Sequence, residues 1–229
     1  MNNYRFTISY DGSRYSGWEH QKHTDDTIQG KIEAVLAKMC DTDTVKLVGA
    51  GRTDAGVHAK AMTANALLDT TLPVREIRDY MNRYLPDDIV ILEVSEASQR
   101  FHSRYNAVSK TYSYRIRTSP VADVFERRFV YHYGKPLDVG RMKAAAERLK
   151  GTHDFASFCG NKKMKKSTVR TIMDITFAEK DGEIEIRYTG DGFLQNMIRI
   201  LTGTLIEVGR GERDIVSMTA ILAAKNREA

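Results

Sequence analysis

Residues 49–59 read Gly49-Ala50-Gly51-Arg52-Thr53-Asp54-Ala55-Gly56-Val57-His58-Ala59 and put a carboxylate, a guanidinium and three glycines between the apolar runs 45–48 and 61–68. A cation close to a carboxylate favours its ionised form. Glycines allow positive φ and let a bulky ligand come close to the backbone. Asp54 therefore has the type and setting of a nucleophile or general base at a loop tip. A tight turn carrying a surface ion pair fits the same spacing and, on spacing alone, is the commoner outcome. A phosphate-gripping loop fits poorly, because the segment lacks the Lys-Ser/Thr ending that such loops use.

Four further stretches carry residues capable of chemistry. Tyr10-Asp11-Gly12-Ser13-Arg14-Tyr15-Ser16-Gly17-Trp18-Glu19-His20-Gln21 is punctuated by glycines and holds the only tryptophan. It suits a loop that grips nucleic acid, or more simply a hairpin with a packed tryptophan. Lys110-Thr111-Tyr112-Ser113-Tyr114 puts two tyrosines on one face of a strand, as general acid or base, or as core. Thr152-His153-Asp154-Phe155-Ala156-Ser157-Phe158 reads as a cap followed by an aromatic turn. In the helix beginning at Phe193, Arg199 stands among Met197, Ile198, Ile200 and Leu201. Burying an unpaired guanidinium is costly, so such an arginine calls for a carboxylate, and Asp54 is the candidate.

These residues need elements to position them. Residues 4–10 alternate as a strand and end at the Asp11-Gly12 turn signal. Thr27 caps a helix with Ile28, Ile32, Val35, Leu36 and Met39 on one face. Strands ending at Val48 and covering 61–68 flank the Asp54 loop, followed by a helix over 74–84 and a strand over 89–94. The second half repeats the flavour, with a strand over 109–118 and a helix over 138–149. Strands over 171–178 and 183–188 join at Asp181-Gly182, and helices follow over 193–208 and 215–225. The spacing predicts an α+β fold whose two similar halves, 1–100 and 101–229, share one extended, mostly antiparallel sheet, with a soft boundary at 96–104.

Composition narrows the class. The chain has 229 residues, enough for a sizeable core, and 41% of them are hydrophobic. There is no apolar run long enough to cross a bilayer and no signal-like start, so a soluble, cytoplasmic protein is expected. Cys40 and Cys159 lie far apart, and the histidines form no HExxH-type pair, which makes metal-independent chemistry the expectation. The 35 basic and 30 acidic residues give a net charge of +5. The basic residues cluster at 100–104, 110–117, 127–128 and 162–166, with Phe101, Tyr105, Tyr112, Tyr114 and Phe129 interleaved among them. Cations beside stackable rings suit a nucleic-acid surface as well as they suit a solvated face over core aromatics.

Taken in order, YDGSRYSGWEHQ, GAGRTDAGVHA, RFHSRYNAVSKTYSYRI, GTHDFASF and FLQNMIRILTGTLIEVG resemble the signatures of the TruA-type tRNA pseudouridine synthases over nearly the whole chain. The resemblance implies two α+β halves meeting in an extended sheet, with helices on one side and a basic cleft on the other, assembled as a homodimer. It implies conversion of uridine to pseudouridine in the tRNA anticodon stem-loop, at nucleotides 38, 39 and 40, without a cofactor. By position, Asp54 is the catalytic aspartate and Arg52 sits beside the flipped-out nucleotide. Tyr112 packs against the target base, and Arg199 pairs with the aspartate.

Some positions depart from the family pattern. Residues 60–65 read Lys-Ala-Met-Thr-Ala-Asn where a Gln-Val-containing strand is typical, and Gln195 stands where a ring is usual. The sequence ends at Ala229, where the family continues through a proline-containing loop into a final strand that lines the uracil pocket. Loss of that strand would leave an unpaired edge and an open pocket, so a catalytically weak RNA-binding or RNA-folding paralogue is the alternative to an active synthase.

Overall fold

A computed structural model describes residues 1–161 and 164–228. Lys162 and Lys163, part of the last basic cluster, and the terminal Ala229 lie outside the described residues. The chain divides into two compact units, Met1–Ala107 and Val108–Ala229.

In the first unit, β1 (Asn2–Tyr10) is the centre of a four-stranded antiparallel sheet. Its neighbours are β3 (Ala59–Leu68) and β4 (Ile89–Ala97), and the short β2 (Leu47–Gly49) pairs with the outer side of β3. Alternation sends Tyr4, Phe6, Ile8 and Tyr10 to one buried face. Two helices, α1 (Ile28–Met39) and α2 (Val74–Tyr84), cover that face with Ile28, Ile32 and Leu36 and with Ile77 and Met81. Each of these fully buried aliphatic side chains contributes about 1.5–3 kcal/mol over an exposed one, so packing rather than intrinsic propensity holds the helices. Thr27 caps α1 as expected, its hydroxyl accepting from the Gly30 N–H at 3.2 Å.

The stretch 96–104 is tied firmly to this unit. The buried Asn3 amide donates to the carbonyl oxygens of Ser98 and Phe101, both at 2.9 Å. Buried Asn65 donates to Asn3 Oδ1 at 3.0 Å and accepts from the Ser103 N–H at 2.8 Å. Pairing these buried amides fixes the segment, and the compact unit runs on to Ala107.

In the second unit, β5 (Lys110–Arg117), β6 (Tyr131–His132), β7 (Gly151–Asp154), β8 (Val169–Lys180) and β9 (Glu183–Gly190) form one sheet in the order β6-β5-β9-β8-β7. All pairs are antiparallel except β5–β6. The β8–β9 hairpin turns at Asp181 and Gly182, with φ of 51° and 73°, a pair of positive values suited to the right-handed twist of a tight hairpin. Helices α3 (Val139–Glu147), α4 (Met197–Gly209) and α5 (Ser217–Ala224) contribute Met142, Ala145, Leu201, Leu205 and Met218 to the core of this unit. Asp138 caps α3 by accepting from the Arg141 N–H. The Ser157 hydroxyl donates to the Ile221 carbonyl at 2.6 Å and accepts from the Asn226 N–H at 2.9 Å, anchoring the end of the chain to the turn after β7.

The mixed α/β architecture expected from the sequence is therefore present. Among the described residues its strands pair into two sheets, one in each unit. No helix of the described residues is long and apolar enough to cross a membrane.

Candidate active site

The Asp54 loop emerges between β2 and β3 and is held in place by the N-terminal segment 10–18. A register shift separates the pairs Ile8↔Met62 and Tyr10↔Ala59, a bulge that bends the exit of the loop across the end of β1. Tyr10 lies buried beneath the loop, with its hydroxyl 2.8 Å from the Thr53 hydroxyl in a buried hydrogen bond. The Trp18 N–H donates to the Thr53 carbonyl at 3.0 Å, and the Val57 N–H donates to the Asp54 carbonyl at 3.2 Å. The peptide groups on both sides of the Asp54 Cα are thus fixed by backbone hydrogen bonds. Asp54 is partly exposed and Thr53 is buried.

Glycines make this proximity possible. A Cβ at Gly12 would stand 2.0 Å from the Val57 carbonyl oxygen, and one at Gly49 would stand 2.7 Å from the Trp18 ring. Trp18 is 2% exposed and its ring lies 5.9 Å from that of Tyr10. The segment is therefore not the hairpin that its turn residues suggest. Residues 12–14 form a short 3-10 turn, and the rest runs as a strap between the Asp54 loop and α1. The packed tryptophan that goes with the hairpin reading is present.

At the exit of the loop, His58 Nδ1 faces two groups. The Gly12 N–H points at it from 3.1 Å, and Asp11 Oδ1 lies 2.9 Å away. A neutral ring protonated at Nε2 accepts from Gly12, and a doubly protonated ring pairs with Asp11. Arg52 is exposed and forms an ion pair with Glu19 at 2.7 Å, both side chains about half accessible. An exposed pair of this kind adds at most about 1 kcal/mol to stability, so it leaves Arg52 free to exchange partners when a ligand arrives.

The second unit holds the other two candidates. Tyr112 is partly buried, and its ring meets Phe193 edge-on at 5.2 Å. Across the sheet it pairs with Tyr188, whose buried hydroxyl bonds to Thr202 at 2.9 Å and whose acidity is suppressed by burial. Tyr114, on the same face of β5, is pushed above the ordinary phenol range by burial, an effect that the charge of Arg199 partly offsets.

Arg199 itself does not fit the reasoning applied to it from sequence. It is exposed, whereas Met197, Ile198 and Leu201 are buried. On α4 the core stripe follows Ile198, Leu201 and Leu205, and a residue one step past Ile198 turns about 100° away from it. The cost of burying a guanidinium therefore gives no reason for Arg199 to need a carboxylate. The helix also begins at Met197 rather than 193, because Asn196 adopts φ of 57° and breaks the helical path.

The basic clusters separate into two kinds. Arg115 is engaged by Glu183 and Glu126 at 2.5 and 2.7 Å, and Tyr112 and Tyr114 pack on the core, so the 110–117 cluster is largely structural. Arg104, Arg127 and Arg128 are exposed, and Tyr105 is 81% exposed with its ring stacked on His102 at 4.2 Å. These retain the cation-and-ring character of a nucleic-acid surface.

Tyr10 and Thr53 were not singled out as functional by their sequence pattern, although both stand inside motifs that were. The missed signal is contextual. Tyr10 is the last inward residue of β1, and Thr53 immediately precedes the aspartate.

A family model described as tRNA pseudouridine synthase matches residues 7–106 and 145–229. The chain is 46% identical over 227 residues to the tRNA pseudouridine synthase A of Bacillus sp. (strain KSM-64), covering 99% of this chain and 93% of that protein. It is 45% identical over 227 residues to a tRNA pseudouridine synthase A 2 of Bacillus anthracis, covering 99% and 92%. It is 43% identical over 226 residues to a tRNA pseudouridine synthase A 2 of Clostridium tetani (strain Massachusetts / E88), covering 98% and 91%. With the Asp54 loop and its strap inside the matched region, this chain belongs to the tRNA pseudouridine synthase family, isomerases that convert uridine to pseudouridine.

Proposed function

We propose that this chain isomerises uridine to pseudouridine at nucleotides 38, 39 and 40 of the tRNA anticodon stem-loop, with Asp54 as the catalytic residue. The observation that carries this reading is the Asp54 loop, whose partly exposed aspartate stands on a backbone fixed from both sides. A preorganised nucleophile or base on a rigid frame is what bond cleavage at a sugar carbon requires.

The reaction breaks the N1–C1′ bond of uridine, turns the uracil and rejoins it through C5. Carbon–carbon bond formation at C5 displaces a proton from that carbon, and N1 gains one. No electrons enter or leave, so the chemistry calls for no redox cofactor. Asp54 serves it either by attacking C1′ to form an ester that C5 later displaces, or by taking the 2′ proton to give a glycal. The target nucleotide has to leave the helical stack first. Arg52 is proposed to hold the extruded nucleotide, its surface pair with Glu19 being weak enough to exchange for a phosphate. Tyr112 is proposed to pack against the base and Arg199 to bind substrate. Both roles rest on their positions in the family signatures. Cytoplasmic location and homodimeric assembly complete the proposal.

Incubating unmodified tRNA transcripts with the protein and mapping pseudouridine tests this directly. New pseudouridine at 38, 39 or 40 is the expected result. Its absence, or its appearance only elsewhere, overturns the assignment. Binding to tRNA is also expected to weaken steeply with salt. About six phosphate contacts correspond to a loss of roughly a thousandfold in affinity between 50 and 200 mM monovalent salt. A flat salt response in a filter-binding titration contradicts an RNA-backbone surface on this protein.

A further inference from the structure

We propose that Tyr10 is a positioning residue for catalysis, acting on Asp54 through Thr53. The inference rests on the reading of Asp54 as the catalytic residue. It concerns a contact that the chemistry itself does not call for.

Thr53 is held at two points. Its hydroxyl meets the Tyr10 hydroxyl at 2.8 Å, with both side chains buried, and its carbonyl oxygen accepts from the Trp18 N–H at 3.0 Å. That carbonyl belongs to the planar peptide joining Thr53 to Asp54, so its orientation sets the direction in which the Asp54 Cα leaves. The Val57 N–H bond to the Asp54 carbonyl fixes the following peptide. Of these restraints, the Tyr10–Thr53 bond is the one made by side chains alone.

Tyr10 is well placed to serve as an anchor. It ends β1, the strand flanked by β3 and β4, and it pairs with Ala59 at the exit of the loop, just past the register shift in the β1–β3 ladder. Its ring is locked among core residues beside Trp18. A phenol on a rigid strand therefore reaches up into an irregular loop and restrains the residue preceding the carboxylate. Removing the phenol hydroxyl leaves the Thr53 hydroxyl buried without this partner. The threonine then has to rotate toward another partner or admit water, and either shift turns the adjoining peptide. A misplacement on the order of 1 Å at a reacting group costs up to about a hundredfold in rate.

The test compares Tyr10→Phe, Thr53→Val, Thr53→Ser and the Tyr10→Phe/Thr53→Val double variant, with Asp54→Asn alongside. Single-turnover pseudouridine formation, KM, tRNA affinity and thermal unfolding are measured for each. The expected result is a loss in kcat of about tenfold to a hundredfold for Tyr10→Phe and Thr53→Val, with KM and tRNA affinity unchanged within about twofold. The double variant is expected to be no slower than the slower single variant, since one bond is lost only once. Thr53→Ser, which keeps the hydroxyl, is expected to stay near the wild-type rate.

A kcat for Tyr10→Phe within twofold of wild type overturns the proposal. So do losses that multiply in the double variant, or losses that fall on KM and tRNA affinity instead of kcat. Should Tyr10→Phe fail to fold, Thr53→Val against Thr53→Ser decides, and equal rates overturn the proposal. Turnover by Asp54→Asn overturns the underlying catalytic assignment. An inactive Asp54→Asn with a fully active Tyr10→Phe overturns the positioning role alone.

Discussion

Replacing Asp54 with asparagine is expected to abolish pseudouridine formation while tRNA affinity stays within a few-fold of wild type. The substitution keeps size and shape but removes the charge and the basicity. An amide neither attacks C1′ to leave a displaceable ester nor accepts the 2′ proton, so both routes stop at their first step. Loss of a residue that acts directly on the reacting atoms costs about 10⁴-fold or more in rate. The fold is expected to persist, because the Tyr10–Thr53 hydroxyl bond and the backbone bonds at Thr53, Asp54 and Val57 survive a substitution that keeps the size and shape of the side chain. Affinity is preserved because RNA binding draws on many basic and stacking contacts, and losing one negative charge does not weaken attraction to a polyanion. Tritium release from tRNA labelled at uridine C5 measures the reaction, and filter binding measures the affinity. Release by the variant above about a hundredth of the wild-type rate rules Asp54 out as the group that starts the reaction.

Much of the frame around this aspartate was legible in the chain, and the illegible parts have physical reasons. The helix over 74–84 matches α2 residue for residue, and the Thr27 cap fixes the start of α1, because apolar periodicity and capping chemistry are local properties. The strands β6 and β7 leave no mark in the sequence pattern. Two and four residues respectively are too few for alternation to show, and their pairing partners lie elsewhere in the sequence. The apolar pattern predicts too early a start for α4 for a related reason, since an asparagine in a left-handed conformation leaves that pattern intact while breaking the helix.

Within the site, the glycine-rich loop announced Asp54, but not what holds it. The Tyr10–Thr53 bond joins residues 43 positions apart, and neither residue type is unusual where it stands. Arg199 shows the opposite failure. Apolar neighbours in sequence are not apolar neighbours in space, because adjacent helical residues point about 100° apart. Composition alone favours a hairpin with a packed tryptophan for the YDGSRYSGW segment, and of these only the packed tryptophan is present. The segment's function as a strap over the loop appears only when Gly12, Gly17 and Trp18 are seen against residues 53–57.

Gly17 is the point at which that strap is least tolerant, and Gly17→Ala is expected to cost both stability and rate. Its φ of +108° lies in a region that side chains rarely enter. A Cβ there would stand 2.8 Å from the Thr53 carbonyl oxygen and 3.3 Å from the Ala55 N. Both obstacles are backbone atoms flanking Asp54, so no side chain can swing aside to relieve them. The strained conformation alone costs about 1–3 kcal/mol, which lowers Tm by roughly 2–4 °C per kcal/mol in a protein of this size. Moving the strap instead breaks the Trp18–Thr53 bond and the Ile28 N–H bond to the Gly17 carbonyl, the first loosening the loop and the second the start of α1. Either response shifts the carboxylate, and kcat is expected to fall by up to about a hundredfold at temperatures where the variant remains folded. Gly211→Ala supplies the comparison. This glycine, in the second unit, also has positive φ, at +77°, but a Cβ there meets nothing within 4 Å. It carries the backbone penalty without the clash, so its Tm falls while its kcat holds. Equal kcat for the two variants, measured well below both unfolding transitions, would show that the strap does not govern the position of Asp54.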